Sequence, residues 1–503
     1  MRPRGTSKDV AQLPSLYHPM ASSSSVAIVV NPFEDSQSDV QPSLTQRRPM
    51  APRMRSNLLP ISLSNSTDPA TLRELDVPKP WVQNPNFRAR ISYWIVYVMI
   101  LVGLALGVIQ CYLTYKNVML DRQDLCLVME EQFDGTEDDV FGPNGYFMRE
   151  VDASGSGNGQ FEMTTSSSKN SYIKDGMLYL VPTLTEDVIG EGNVFDGYVY
   201  NLTDCTFNVT QPNNGYIITG DGTTVGSRNF DYAGYYHACS AASNSSAGTV
   251  INPVQSARVS TLLSARGDRG GSIRYGRIEV RAKMPTGDWM WPAIWLLPKD
   301  NVYGDWPRSG EIDMVESRGN GIRYTARGSN YVQGSLNWGP SPALNSVDKS
   351  FSWWTFRRES FSSQMHTYVL EWTDEFIRIY VDTRAHTLLS FKFKKSFWEL
   401  GDFPGTITTD GHQVPLENIW ANGTFLSAPF DQEFYLIMNV AVGSTGGWFP
   451  DGQGNKPWLN SAGTAMRDFA RAKELWYPTW PQNLDDRAMV VDYVRMYKHC
   501  SGS

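Results

Sequence analysis

Three carboxylates fall within six residues of the stretch WPRSGEIDMVESRGN, which runs from Trp306 to Asn320: Glu311, Asp313 and Glu316. Alternation along a strand puts Glu311, Asp313 and residue 315 on one face. Residue 315 is Val, and the third acid comes one place later. A β-bulge near Met314 or Val315 brings Glu316 back to the face of the other two, and bulges re-aim side chains beside active sites. Ile312, Met314 and Val315 then point into a core. Three like charges on one face are costly, so one proton is easily retained there. That suits cleavage of a glycosidic bond with retention. One carboxylate must be ionised to attack, the other must keep a proton for the leaving oxygen, and the two must lie about 5–5.5 Å apart. Strand steps of about 3.3 Å separate their backbones by roughly 10 Å or more, so the long Glu side chains must lean together. A solvated acidic edge or a calcium site is the competing reading of a bare E-x-D-x-x-E pattern. Trp289, Trp291, Trp295 and Trp306 lie just upstream. Indole faces stack on flat apolar surfaces such as the C–H faces of sugar rings, and this favours a polysaccharide cleft.

The surrounding texture says what positions these residues. From Leu125 onward, short runs such as GRIEVRAKMP, HTYVLEW, FIRIYVD and MVVDYVRMY alternate with period two between Gly, Asp, Asn and Pro turns. Long helical patterns are scarce, and AMRDFARAKELW is the best local candidate. Many strands over more than 300 residues indicate a large antiparallel sandwich, with 125–500 as one domain. All Trp residues except Trp81 and Trp94 lie in its later part.

Residues 91–115 contain no charged side chain, and about 20 apolar residues cross a bilayer. Arg88 and Arg90 precede this run, which starts too far in and is too long for a cleaved signal peptide. The positive flank predicts a transmembrane signal-anchor with the N-terminus cytosolic: a single-pass type II membrane protein, its body lumenal or extracellular, in the secretory pathway or at the plasma membrane. Residues 1–90 are rich in Ser, Pro and Arg without apolar periodicity, and read as a disordered cytosolic tail. The net charge of −8 argues against a nucleic-acid partner. Four cysteines lie beyond the membrane run and allow three disulfide connectivities. Cys205–Cys239 closes a moderate loop, and Cys126–Cys500 would tie the start of the body to its end. Asn201, Asn208, Asn244 and Asn422 open glycosylation triplets on the lumenal side, whereas Asn65 should stay unmodified.

The segment GEIDMVE, Gly310 to Glu316, resembles the marker of glycoside hydrolase family 16: G-E-hydrophobic-D, two residues, then E. The two-residue gap marks the bulged subgroup. YGRIEVRAKMP (275–285), WPAIWLLP (291–298), HTYVLEW (366–372), FYLIMNVAVGS (434–444) and GNGQFEMTT (157–165) extend the likeness to roughly Leu125–Tyr497, nearest to laminarinase-type β-1,3-glucanases and β-glucan-binding proteins. The resemblance implies an all-β, concanavalin A-like β-jelly-roll. It implies Glu311 as nucleophile, Glu316 as general acid/base and Asp313 between them holding the nucleophile. Trp291, Trp295, Trp306, His366, Arg281 and Asn158 fall in segments that line the cleft of relatives. No cofactor is required; some relatives hold a structural calcium.

The expectation is therefore a retaining endo-β-1,3-glucanase or glucan transglycosylase acting on a β-glucan partner, with the bilayer as second partner through residues 91–115. A non-catalytic glucan-recognition receptor is the alternative, and a wall-assembly factor a third reading. The Asn- and Gly-rich region 189–250 is not explained by the core fold and is read as an insertion flanking the cleft.

Overall fold

The computed structural model describes residues 86–210, 216–218, 224–226, 231–409, 412–423 and 425–500. Almost all of the expected tail, and Asn65 with it, lies outside these residues. Helix α1, Phe87–Asn117, contains a stretch, Arg90–Lys116, long and apolar enough to cross a membrane.

Beyond it the chain builds two eight-stranded antiparallel sheets. In chain order their strands are β1 (Leu125–Glu131), β2 (Met148–Arg149), β3 (Ser171–Lys174), β4 (Met177–Leu180), β5 (Arg258–Ser260), β6 (Ser272–Ile273), β7 (Gly276–Lys283), β8 (Met290–Pro298), β9 (Glu311–Ser317), β10 (Tyr331–Asn337), β11 (Phe351–Thr355), β12 (His366–Trp372), β13 (Phe376–Val381), β14 (Thr387–Lys392), β15 (Phe434–Val442) and β16 (Met489–His499). The front sheet runs β11-β10-β9-β8-β15-β5-β2, with β6 beside β15. The back sheet runs β14-β13-β12-β7-β16-β4-β3, with β1 beside β16. A three-stranded sheet of 162–164, 183–184 and 254–256 holds a parallel pair.

The alternation in the sequence is what builds the sandwich. Along β7, Ile278, Val280 and Ala282 are buried while Arg277, Glu279 and Arg281 are only half-buried. Every residue of β15 is buried, because both of its faces are covered. Phe434, Leu436, Met438, Val440 and Val442 enter the main core, and Tyr435 and Ile437 a smaller cluster on the other face. Each such side chain removed from water contributes about 1.5–3 kcal/mol. Trp289, Trp338, Trp372, Trp476 and Trp480 are fully buried, so much of the tryptophan content serves packing rather than a cleft. The helical candidate forms as two pieces, Ala465–Arg471 and Lys473–Trp476.

Both suggested disulfides are present, Cys126–Cys500 and Cys205–Cys239. The first joins neighbouring strands, since β1 pairs with β16 and Cys126 faces Lys498. The second staples the 189–250 region, whose described part is short helices and two two-stranded sheets, 199–201 with 240–242 and 216–218 with 224–226.

Two expected cleft residues belong elsewhere. His366 opens β12 in the back sheet, 3% exposed, and packs on Phe356 and Phe361 while its Nδ1 meets Asp382 Oδ2 at 2.8 Å. It is a core histidine with a partner. Arg281, in β7 of the same sheet, bonds Asp492 on the face turned from the core. Alternation placed both on strands but could not say in which sheet or on which face.

Candidate active site

Gly310 leads the chain into β9 at φ +82°, where a Cβ would come within 2.8 Å of the Phe430 ring; only glycine suits that entry. Across β9 and β10, Glu311 faces Asn337, Asp313 faces Ser335 and Glu316 faces Gln333, so Met314 and Val315 together oppose Gly334. The register to β8 shifts at the same place, with Asp313 opposite Trp295 and Glu316 opposite Ala293. This is the bulge that the spacing requires. Ile312, Met314 and Val315 are fully buried, and the three acids share the opposite face.

Each acid accepts hydrogen bonds from neighbouring side chains, and Asn337 serves two of them. Glu311 accepts from Trp306 Nε1 at 2.7 Å and Asn337 Nδ2 at 3.0 Å. Glu316 accepts from Trp291 Nε1 at 3.0 Å. Asp313, 3% exposed, accepts through Oδ2 from Ser335 and, at 2.9 Å, from Asn337. All three carboxyls titrate high. Desolvation is the main cause throughout. It pushes Glu311 to about 7, against the opposing hydrogen bond from Asp313, with the Glu316 charge adding to the rise. Glu316 goes to about 8 through desolvation and then the Asp313 charge. Asp313 is held well above the usual carboxylate range by burial and by Glu311. The deepest acid thus keeps the proton and donates it to Glu311, which leaves Glu311 the more readily ionised of that pair.

Register extends the site across the front sheet, because residues opposite one another share a face. One row runs Trp353, Gln333, Glu316, Ala293, Asn439, Arg258; the next runs Phe351, Ser335, Asp313, Trp295, Ile437, Ser260. Trp295 Nε1 donates to Asn439 Oδ1 at 2.8 Å, and the Arg258 guanidinium lies 4.8 Å from the Trp295 ring and 2.6 Å from Glu150. Met148, Leu262 and Val209 close this end around Tyr435 and Ile437. Val209 belongs to the stapled 189–250 region, packs on the same small cluster as Trp295 and accepts through its carbonyl from Arg266 at 2.7 Å.

Trp291, Trp295 and Trp306 are therefore brought to the carboxylates. Asn158 is exposed in a loop, its carbonyl accepting from Ser444 Oγ at 2.6 Å and Gly446 N at 3.0 Å, on the segment that leads to Trp448. Sequence reasoning missed Trp448, which stacks on Trp291 at 4.8 Å and 10° and carries Arg318 at 4.0 Å. It also missed Asn337, Ser335, Asn439, Arg258 and Glu150. Their strand parity was readable, but the strand partners that bring them to the acids were not. Among the described residues no group of three or more His, Cys, Asp or Glu side chains is arranged to hold a metal ion.

The sequence profile described as "Glycosyl hydrolases family 16" matches residues 242–409. A "Beta-1,3-glucan-binding protein" of Penaeus monodon is 38% identical over 378 residues, 74% of this chain and 90% of that protein. A "Glucan endo-1,3-beta-glucosidase A1" of Niallia circulans is 36% identical over 175 residues, 34% of this chain and 21% of that one. Among solved structures, the laminarinase from Rhodothermus marinus is similar at 22% identity and a TM-score of 0.42, over 76% of this chain and 100% of that chain.

Proposed function

Because the chain belongs to family 16 of the glycosyl hydrolases, we propose that it is a retaining hydrolase or transglycosylase of β-1,3-glucan. The single observation that carries the reading is the bulged strand β9, which sets Glu311, Asp313 and Glu316 on one face, with Asn337 donating to both Glu311 and Asp313 and Trp291 to Glu316. Glu311 attacks the anomeric carbon while Glu316 gives its proton to the departing oxygen. Water or a sugar hydroxyl then attacks that carbon, returns a proton to Glu316 and releases Glu311. Asp313 and Asn337 hold the attacking carboxylate in place. The names of the Penaeus and Niallia relatives supply the glucan and its linkage.

The pH profile tests this. Glu311 must be ionised, which needs pH above about 7, and Glu316 protonated, which needs pH below about 8. Reducing-sugar release from laminarin should be bell-shaped in kcat/KM, its limbs belonging to the coupled trio. The Trp291 N–H lowers the Glu316 value, so Trp291→Phe should carry the alkaline limb to higher pH and leave the acid limb in place. Laminarin binding with no product at any pH would sink the enzymatic reading. It would favour the second one, a glucan receptor, for which the printed name of the Penaeus protein speaks.

We further propose that α1 anchors the chain with the sandwich on the lumenal side. Two disulfides and the exposed acceptors Asn201, Asn244 and Asn422 support that side. Asn208 is a poor acceptor, half-buried with its Oδ1 shut away and unpartnered. Endoglycosidase treatment of the full chain from a eukaryotic host should increase its gel mobility, and N201Q/N244Q/N422Q should abolish the shift. An unglycosylated parent chain would refute the topology.

A further inference from the structure

We propose that Phe351 and Trp353, on the edge strand β11, form the platform for the leaving-group half of a β-glucan chain and for the sugar acceptor that replaces it. The inference rests on Glu311 and Glu316 being the reacting pair. Trp353 lies opposite Gln333, which lies opposite Glu316; Phe351 lies opposite Ser335, which lies opposite Asp313. Both aromatic side chains therefore share the face of the carboxylates. Strand β11 is two strands from β9, roughly 10 Å at about 4.8 Å per strand, within reach of a second sugar ring beyond the bond to be broken.

Their exposure is selective. Phe351 is 37% and Trp353 42% exposed, whereas Trp354, the residue after Trp353, turns the other way and stacks on His386. The Phe351 and Trp353 rings lie 6.0 Å apart and 27° from parallel, a nearly continuous apolar strip. The strip is held at its Trp353 end. The Arg327 guanidinium sits 4.1 Å from the Trp353 ring and donates to Tyr331 Oη at 2.6 Å, and the Tyr331 ring lies 6.0 Å from Trp353. A preformed aromatic surface of this kind suits the C–H faces of pyranose rings.

The two ends of the rows differ in a way that assigns their roles. At the other end Trp295, Asn439, Arg258 and Glu150 are bonded to one another and closed in by Met148, Leu262 and Val209. That end suits the glycosyl half, which must stay while it is bonded to Glu311. The β11 end is open and offers stacking without directional bonds, which suits a half that must depart and be replaced. In the first step the oxygen of the departing sugar takes the Glu316 proton as its bond to the anomeric carbon breaks. In the second, a hydroxyl of a sugar lying on the same strip attacks that carbon, its proton goes to Glu316, and the bond to Glu311 breaks.

The test is Trp353→Ala, Phe351→Ala and Trp353→Phe in the full chain. In a Glu311→Gln background, Trp353→Ala should weaken laminarihexaose binding about tenfold, from the stacked area lost, and Trp353→Phe should restore most of it. In the active protein, the ratio of transfer to hydrolysis should fall. The rise in KM should be larger for laminarihexaose than for an aryl β-laminaribioside, which has no second sugar beyond the bond. Unaltered hexaose binding in both alanine variants would overturn the proposal, as would equal losses on the two substrates or a Trp353→Phe variant as weak as Trp353→Ala. Binding in the Glu311→Gln background needs no turnover. Failure of the parent chain to hydrolyse laminarin would thus refute the catalytic reading, while the platform is judged on binding.

Discussion

Glu311→Gln is expected to cut laminarin hydrolysis by about 10⁴-fold or more, because it removes the attacking carboxylate, and Glu316→Gln by about 10²–10⁴-fold, because it removes only proton transfer. The two losses should be told apart by azide. In Glu311→Ala a small anion can occupy the vacated space and give the glycosyl azide of inverted configuration; in Glu316→Ala it can resolve the glycosyl-enzyme with retention. Both glutamine variants should still bind laminarin, since the tryptophans and Asn439 remain. The same substitutions carry a stability signature. Glu316 is raised from its ordinary 4.5 to about 8 and Glu311 to about 7. The folded protein therefore binds these protons more tightly than the unfolded chain. The stabilisation is fully present below about pH 4.5 and is lost as the pH rises through about 7 to 8. Glu316→Gln should accordingly melt higher than the parent at pH 8.5 and close to it at pH 4.5. Undiminished hydrolysis in either glutamine variant would defeat the assignment of roles.

Glu371→Ala is the substitution outside the site expected to cost most. Glu371 is 2% exposed in β12 and accepts from Arg384 Nη2 at 2.6 Å, Arg378 Nη1 at 3.2 Å and Tyr380 Oη at 3.2 Å, with Arg277 3.8 Å away. Removing it leaves the Arg378 and Arg384 guanidinium groups without their anion, while Arg277 keeps Glu279 at 2.6 Å. Arg378, whose side chain is 11% exposed, cannot turn to water as Arg384 can at 48%. Breaking a buried pair from one side costs about 3–5 kcal/mol, roughly 5–10 °C in melting temperature for a domain of this size. Glu371→Ala with Arg378→Met should recover part of the loss, since the most deeply buried stranded charge is then gone. A melting temperature equal to that of the parent in Glu371→Ala would show that water already solvates the cluster.

Local spacing made some features legible in the chain alone. The offset of Glu316 by one residue demanded a bulge, because side chains in a strand alternate strictly. The charge-free run 91–115 demanded an apolar environment along its whole length, and the alternation in GRIEVRAK demanded a half-buried strand. Each of these follows from neighbours a few residues apart. What the tertiary structure alone decided is which strands lie side by side and which face of each looks into the cleft. His366 and Arg281 sit on well-marked strands, but those strands pair into the back sheet, one side chain turned to the core and the other to solvent. Conversely, Asn439, Arg258 and Trp448 reach the acids from segments far off in sequence, through pairings of β15 with β8 and β5 and the stacking of Trp448 on Trp291. A period of two shows that a strand has two faces; only the backbone hydrogen bonds between distant strands, formed when the two sheets pack their apolar faces together, determine whose company each face keeps.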